Sequence, residues 1–509
     1  MAALRSLTIL ASIGALAIFA ACDSSSSDDT ANGGGGSSTD PTNPGSSGNG
    51  GSNGGNGGGG SSGGNASGSS SGNGNGSSSG GSVDNDPPVP YQAFDINHVI
   101  STGQSNSVAH EGRPVLSTSQ PYKNLMFDVG VMTSGTCERE GCRVYQKPSS
   151  FVPLTEGDTF WYPVETMSSG MGNQISKLAT TVYTKGEHPI LISLAGRNGL
   201  TYWCLRKGGC NFLDPTYLNA FDENMKQVDD AMAIAKAQGK TYVVRAVTSV
   251  HGESDDYAWA TGNQEVPING TDGTPNAINT YSDALLEWQR DYEAGVKTRT
   301  GQTLDVPMLI SQHSGWNDVE RSMVTQFQYD AMVRSKYKVT IVTPGYPLEY
   351  HEDCRHYSNH GERHLGEYFA KAYTRVVLEG KKWAPVHPTD VTISGNVVTA
   401  KFWVPVPPLV LDTQYVMDPG NFGFEVADAA NADVAITKVE LTGPDTVQIT
   451  LANAPAGGGK LRYAFRTIPH SCPGRFAGAR GNLRDSDTTP SQAGYPLYNW
   501  GVHFEVPIK

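Results

Sequence analysis

The chain has 509 residues, a formal net charge of −13 and seven cysteines. That acidic balance argues against nucleic acid and against adhesion to acidic headgroups, and it suits an exported body. With about 420 residues after a low-complexity start, there is enough chain for two folded parts.

The first residues read as an export signal. Arg5 supplies the positive start, and an apolar run from Leu7 to Ala21 has signal-peptide length rather than membrane-spanning length. It ends in Phe19-Ala20-Ala21-Cys22, which resembles a bacterial lipobox, so residues 1–22 are expected to be a lipoprotein signal with Cys22 as the lipidated residue. Residues 23–86 are almost entirely Gly, Ser, Asn, Asp and Thr. Such a segment buries too little apolar surface to offset its chain entropy and is expected to be a tether. At that length it would reach roughly 45 Å, root-mean-square, from a membrane. The expected place is the bacterial cell envelope.

From Phe94 to about Lys382 short apolar runs alternate with helix-like stretches. His98-Val99-Ile100, Pro189 to Ile192, Tyr242 to Val244 and Pro307 to Ile310 read as buried strands. Tyr217 to Gln238, Thr280 to Thr298 and Gly361 to Leu378 carry apolar residues at helical spacing. The alternation predicts an α/β sandwich with a mainly parallel sheet over residues 87–385. After Pro385 the period changes to two: Val391 to Ser394, Val397 to Val404, Val434 to Leu441 and Val447 to Leu451 alternate apolar with polar residues. Residues 386–509 are therefore expected to form an antiparallel β-sandwich.

Two strings carry chemistry. Ser101-Thr-Gly-Gln-Ser105-Asn106-Ser107 follows the first strand, where open parallel sheets place their sites. Asp353-Cys354-Arg355-His356 lies at the far end of the α/β region, before a helix opening at Ser358 or Asn359. An Asp and a His three apart on one loop can put the carboxylate on the imidazole Nδ1 and leave Nε2 to take a serine proton. Two further strings are His251-Gly252-Glu253-Ser254-Asp255, after the strand ending at Val250, and Leu194-Ala195-Gly196-Arg197-Asn198-Gly199 ahead of Trp203.

Together these four strings resemble the SGNH hydrolases, and within them the sialate O-acetylesterase-like and plant-type carbohydrate acetylesterases, over roughly residues 94–378. The resemblance implies a three-layer α/β/α sandwich and no cofactor. Ser105 would be the nucleophile, His356 the general base and then acid, and Asp353 the orienting carboxylate. It also implies an oxyanion hole from the N–H of Ser105, a backbone N–H of Gly196 or Gly199, and the side chain at position 251. There His251 stands where the branch carries Gln; a neutral imidazole N–H could still donate. Glu253 and Asn106 are expected to order the neighbouring loops. The implied substrate is an acylated carbohydrate, and Trp161, Tyr162, Tyr202 and Trp203 lie where they could stack on sugar rings. A lipase-like or polyester hydrolase, or an impaired carbohydrate-binding lipoprotein, are the alternatives.

His360 and His364 have zinc-compatible helical spacing, but His351 to His356 is one residue too long for His-Glu-x-x-His, and no metal is expected. The Asp/Asn/Gly-rich stretch 255–279 reads as a surface insertion. Besides Cys22, six cysteines in an exported chain point to disulfides. Cys137 with Cys142 and Cys204 with Cys210 are close in sequence, which leaves Cys354 and Cys472 to staple the β region onto the Asp353–His356 loop.

Overall fold

The structure is a computed structural model that describes residues 87–134, 144–158, 162–209, 218–315, 319–467 and 470–509. These lie within one compact unit, residues 77–509. Cys22, Cys137, Cys142, Trp161 and Cys210 fall outside the described residues.

A seven-stranded sheet forms the centre. Its strands are β1 (Ile96–Gly103), β2 (Leu125–Phe127), β3 (Phe151–Pro153), β4 (Ile190–Gly196), β5 (Tyr242–Val250), β6 (Met308–Gln312) and β7 (Val339–Pro344). Their order is β3-β2-β4-β1-β5-β6-β7, and every neighbouring pair is parallel except β2 with β3. β1 is buried along its whole length, with polar residues among the apolar ones. These are satisfied by neighbouring strands: His98 binds the Tyr242 hydroxyl at 2.7 Å and Ser193 Oγ at 2.8 Å, and Ser101 Oγ binds Thr248 Oγ1 at 2.7 Å. Buried polar groups that are paired in this way cost little and help fix strand register.

The helices are α1 (Met167–Thr181), α2 (Ala220–Ala237), α3 (Glu253–Thr261), α4 (Tyr281–Thr300), α5 (Met323–Arg334) and α6 (Asn359–Tyr373). Most open on a side-chain cap. Asn219 accepts from the Asp222 N–H, Ser322 from Thr325, Ser358 from Gly361, and Thr280 forms a reciprocal capping box with Asp283. The connection from β1 to β4 runs one way along the sheet, whereas those from β4 to β5, β5 to β6 and β6 to β7 run the other way. Right-handed crossovers then put α1 on one face and α2, α4 and α5 on the opposite face. The reversal occurs beside β1, the kind of switch point where a crevice opens at the carboxyl ends of strands.

α6 returns to the α1 face and packs directly on α1. A Cβ at Gly170 would lie 2.3 Å from the Arg363 carbonyl oxygen, and one at Gly366 would lie 2.2 Å from that of Met167. These two glycines let the helix backbones touch. α6 runs on into a single π-helical turn, Thr374–Leu378, so the expected helix 361–378 changes its hydrogen-bond pattern near Thr374. α3 occupies the start of the expected insertion 255–279, where its first turn carries Glu253, Asp255 and Asp256, favourable at a helix amino end.

After Val386 the chain forms two four-stranded antiparallel sheets. One pairs β8 (His387–Ser394), β9 (Val397–Trp403), β13 (Thr446–Leu451) and β12 (Ile436–Leu441) in that order; the other pairs β11 (Asp433–Val434), β10 (Phe424–Asp428), β14 (Gly459–Tyr463) and β15 (Phe504–Ile508). Phe402 of β9 meets Phe424 of β10 and Phe504 of β15, with ring centroids 6.4 and 6.1 Å apart, so the inner faces share a core. Between β14 and β15 the chain is mostly irregular and lies on the α/β layer. Its carbonyls accept hydrogen bonds from the other part: Pro490 from Gln174 (2.9 Å), Tyr498 from Tyr368 (3.0 Å), Gly501 from Tyr346 (2.7 Å) and His503 from Gln312 (2.9 Å). The buried Lys371 ammonium reaches Asn499 Oδ1 at 2.7 Å, Asp487 Oδ2 at 2.8 Å and the Leu497 carbonyl.

Candidate active site

Ser105 sits two residues beyond the carboxyl end of β1. Gly103, the last residue of that strand, has φ +135°, and a Cβ there would lie 2.2 Å from the Val250 carbonyl oxygen. Glycine therefore lets the chain leave the sheet sharply between β4 and β5. The turn closes through the Ser107 N–H to Gln104 O (2.9 Å) and the His110 N–H to Ser105 O (3.0 Å). It presents Ser105 with 8% of its surface exposed.

His356 arrives from the loop after β7, 251 residues later. Its Nε2 lies 2.8 Å from Ser105 Oγ, and its Nδ1 lies 2.5 Å from Asp353 Oδ2. Burial pushes the Asp353 carboxyl upward, but the His356 ring and the N–H groups of His356 and Arg355 outweigh it and hold Asp353 well below the usual carboxylate range. An ionised Asp353 keeps the His356 proton on Nδ1 and leaves Nε2 as the acceptor facing serine.

Asn106 joins the two halves. Its amide nitrogen donates to the Arg355 carbonyl at 3.2 Å and to Glu253 Oε1 at 2.6 Å, while its oxygen accepts from the Tyr357 N–H at 3.0 Å. His356 is thus gripped through the peptide groups on either side of it. Gln104 makes the matching contact, its oxygen accepting from the Ser254 N–H at 3.1 Å. The three motifs, far apart in sequence, are tied by side chains of the residues that flank the nucleophile.

The expected oxyanion donors fare differently. Among the described residues the Ser105 N–H gives no hydrogen bond, so it is available at the site. Gly196 ends β4 opposite Gly103, and the next N–H, of Arg197, is already bonded to Gly103 O at 3.0 Å. Gly199 lies beyond it on an exposed turn. His251 does not serve as expected. Its Nδ1 pairs with the Tyr281 hydroxyl at 2.6 Å and its Nε2 with the Leu200 carbonyl at 3.0 Å, so both ring nitrogens are occupied. Burial pushes its pKa down to about 4, which leaves one ring proton near neutrality, and the Leu200 carbonyl is an acceptor that takes it.

Other residues singled out in the sequence take the following places. Tyr202 is buried with its hydroxyl on Glu287 Oε1 at 2.6 Å, and Trp203 lies under the Arg206 guanidinium at 4.3 Å, so Tyr202 is core rather than a sugar platform. Tyr162 donates to the His110 carbonyl at 2.9 Å. His360 and His364 do not converge: His360 Nδ1 meets the Tyr495 hydroxyl at 2.8 Å, and His364 Nε2 meets the Pro496 carbonyl at 2.9 Å. Cys354 is joined to Cys472, with Cα atoms 4.7 Å apart, and Cys204 is also disulfide-bonded.

Sequence reasoning missed two features. His110, five residues after the nucleophile, places its ring 4.9 Å from that of His356. Glu362, in the first turn of α6, is fully buried, and neither of its oxygens has a hydrogen-bond partner among the described residues. Burial, and then the charges of Glu156, Glu253 and Glu165, push its pKa well above the ordinary value. The position of Glu362, six residues after His356 and one turn into a helix, is the only sequence signal that could have drawn attention to it.

No family profile matches the sequence, and no curated protein matches it significantly. Among solved structures, a carbohydrate acetylesterase from Xanthomonas citri is similar at 12% identity and a TM-score of 0.47, over 81% of this chain and 80% of that one. NanS is similar at 11% identity and a TM-score of 0.33, over 56% of this chain and 98% of that one. The aryl esterase of M. smegmatis is similar at 11% identity and a TM-score of 0.27, over 54% and 97%. All three lie below the similarity from which a shared activity follows.

Proposed function

We propose that this chain is an exported, lipid-anchored serine ester hydrolase of the SGNH type that removes acyl groups, acetyl foremost, from carbohydrate. The observation that carries the reading is the run Asp353–His356–Ser105, with hydrogen-bond distances of 2.5 and 2.8 Å. In this arrangement His356 Nε2 takes the Ser105 proton as Oγ attacks the ester carbonyl. The Ser105 N–H faces the developing oxyanion. His356 then returns the proton to the leaving alcohol, and water repeats the cycle on the acyl-enzyme. With the His251 nitrogens engaged elsewhere, the hole lacks one side-chain donor, which typically costs about 10²–10³ in rate. The reading is therefore of a modest catalyst.

The test is hydrolysis of p-nitrophenyl acetate by the wild type and by Ser105→Ala, followed by acetate release from acetylated xylan, pectin and sialic acid. Loss of at least about 10³ in kcat with unchanged thermal unfolding is expected for the variant. A Ser105→Ala protein as active as wild type removes the nucleophile assignment, and release only from non-sugar esters would favour the lipase-like alternative.

A further inference from the structure

The hydrogen bonds on His356 fix two of its edges, Nδ1 by Asp353 and Nε2 by Ser105. They do not fix the tilt of the ring about the line joining those nitrogens. A ring packed against the imidazole would do that, and the nucleophile turn supplies one, tilted by 31° to it. Ala109 takes φ +56°, a backbone region costly for any residue but glycine, and it is fully buried. That conformation folds the chain back so that the His110 N–H reaches Ser105 O at 3.0 Å and the His110 ring lies 4.9 Å from His356, with 31° between the planes.

His110 is itself held. The His110 carbonyl accepts from the Tyr162 hydroxyl at 2.9 Å, and its Nδ1 lies 3.0 Å from Glu111 Oε1, with Arg113 2.8 Å from the other oxygen of Glu111. His351 stands between the two carboxylates, 3.9 Å from Glu111 Oε2 and 3.6 Å from Asp353 Oδ1. The imidazole–carboxylate pair 110/111 thus lies beside the pair 356/353.

We infer that His110 is a positioning residue for catalysis: its ring backs the face of His356, holds Nε2 in line with Ser105, and offers a π face to the imidazolium that forms as serine attacks. This rests on the serine-esterase reading. The face contact matters most when His356 is charged, because a cation gains more than a neutral ring from an adjacent π system.

The experiment measures kcat and KM for p-nitrophenyl acetate with His110→Ala, His110→Leu and His110→Phe. Because Glu111, Arg113, His351 and Asp353 surround the pair, all are compared at the pH of maximal wild-type kcat. His110→Ala and His110→Leu should lose about tenfold in kcat with KM within about twofold. His110→Phe, which restores a flat face without a titrating group, should recover to within about threefold of wild type. An unchanged kcat in both aliphatic variants, a phenylalanine variant as slow as leucine, or a loss confined to KM overturns the inference. If the alanine variant unfolds, the leucine–phenylalanine comparison decides. Inactivity of Ser105→Ala belongs to the esterase reading, so an unaltered rate in His110→Leu beside an inactive Ser105→Ala overturns the inference alone.

Discussion

The parallel layer and the antiparallel region after Val386 satisfy their backbones in different ways. β1 is laddered on both sides along nearly its whole length, to β4 and to β5, and even the buried His98 and Ser101 find partners inside the sheet. Much of the segment from Pro490 to His503 has no ladder. Its carbonyls are answered by side chains of the other part: Gln174, Lys177, His364, Tyr368, Lys371, Tyr346 and Gln312. The dependence is mutual, because a buried amide or ammonium that loses its partner costs about 1–3 kcal/mol. The C-terminal region is thus part of the protein's interior rather than a module hung on a linker.

The most severe way to break this comparison is to remove one side of it. A chain ending at Pro385 should fail to fold cooperatively. Gln174, Gln312 and Lys371 would lose their acceptors, and several such losses match the whole 5–15 kcal/mol stability of a typical protein. Far-ultraviolet circular dichroism with thermal melting checks this, and a sharp transition in the truncated chain would show the layer to be self-sufficient. A gentler cut is Cys354→Ser with Cys472→Ser. The bond spans 118 residues, and in the chain-entropy model its loss costs about 4–5 kcal/mol. A drop in unfolding midpoint together with a fall in kcat is expected, because Cys354 lies between Asp353 and His356. Loss of stability with full kcat would mean that Asn106 and the backbone bonds of the loop hold the catalytic pair by themselves.

The smallest effect concerns a single proton. Unfolded, Glu362 ionises in the ordinary carboxylate range; folded, burial and three neighbouring carboxylates keep it protonated to higher pH. A raised folded pKa means that its contribution is complete below the unfolded value and is lost as pH rises toward the folded one. Within that window each pH unit costs about 1.4 kcal/mol. Glu362→Gln, which mimics the protonated group, should gain on wild type in melting temperature increasingly as pH rises above the ordinary carboxylate range, and little below that range. A difference that does not change with pH would mean that Glu362 is ionised in the fold.

What the sequence made legible follows the same division. Long apolar runs and capped amphipathic stretches marked β1, β4, β5 and β6 and the helices α2, α4 and α6, because their burial is local and periodic. α1 carried no such mark. Met167-Ser-Ser-Gly-Met-Gly is poor in helix formers, and its Gly170 makes sense only against the α6 backbone at Arg363. Ser105, Asp353 and His356 were readable because two short strings bring three chemical types into a familiar spacing. The hydrogen bonds that aim them were not. The turning of His251 depends on the Tyr281 hydroxyl and the Leu200 carbonyl, and the approach of His110 to His356 on the backbone of Ala109. Tyr281 and Leu200 lie far from His251 in sequence, and nothing in the residue type of Ala109 announces its positive φ.

The grip of Gln312 on the backbone of His503, one hydrogen bond each way at 2.9 Å, has a consequence for how the protein is made. A ribosome delivers Ser105 first, Asp353 and His356 some 250 residues later, and the stretch from Asp487 to His503 later still. Until that stretch emerges, α1, α6 and the end of β6 present buried-type polar groups to water. The order of synthesis thus separates the arrival of these three residues from the completion of the layer that carries them. A growing chain carries Ser105, Asp353 and His356 for more than a hundred residues of elongation before the segment that answers the polar groups of α1, α6 and the end of β6 arrives.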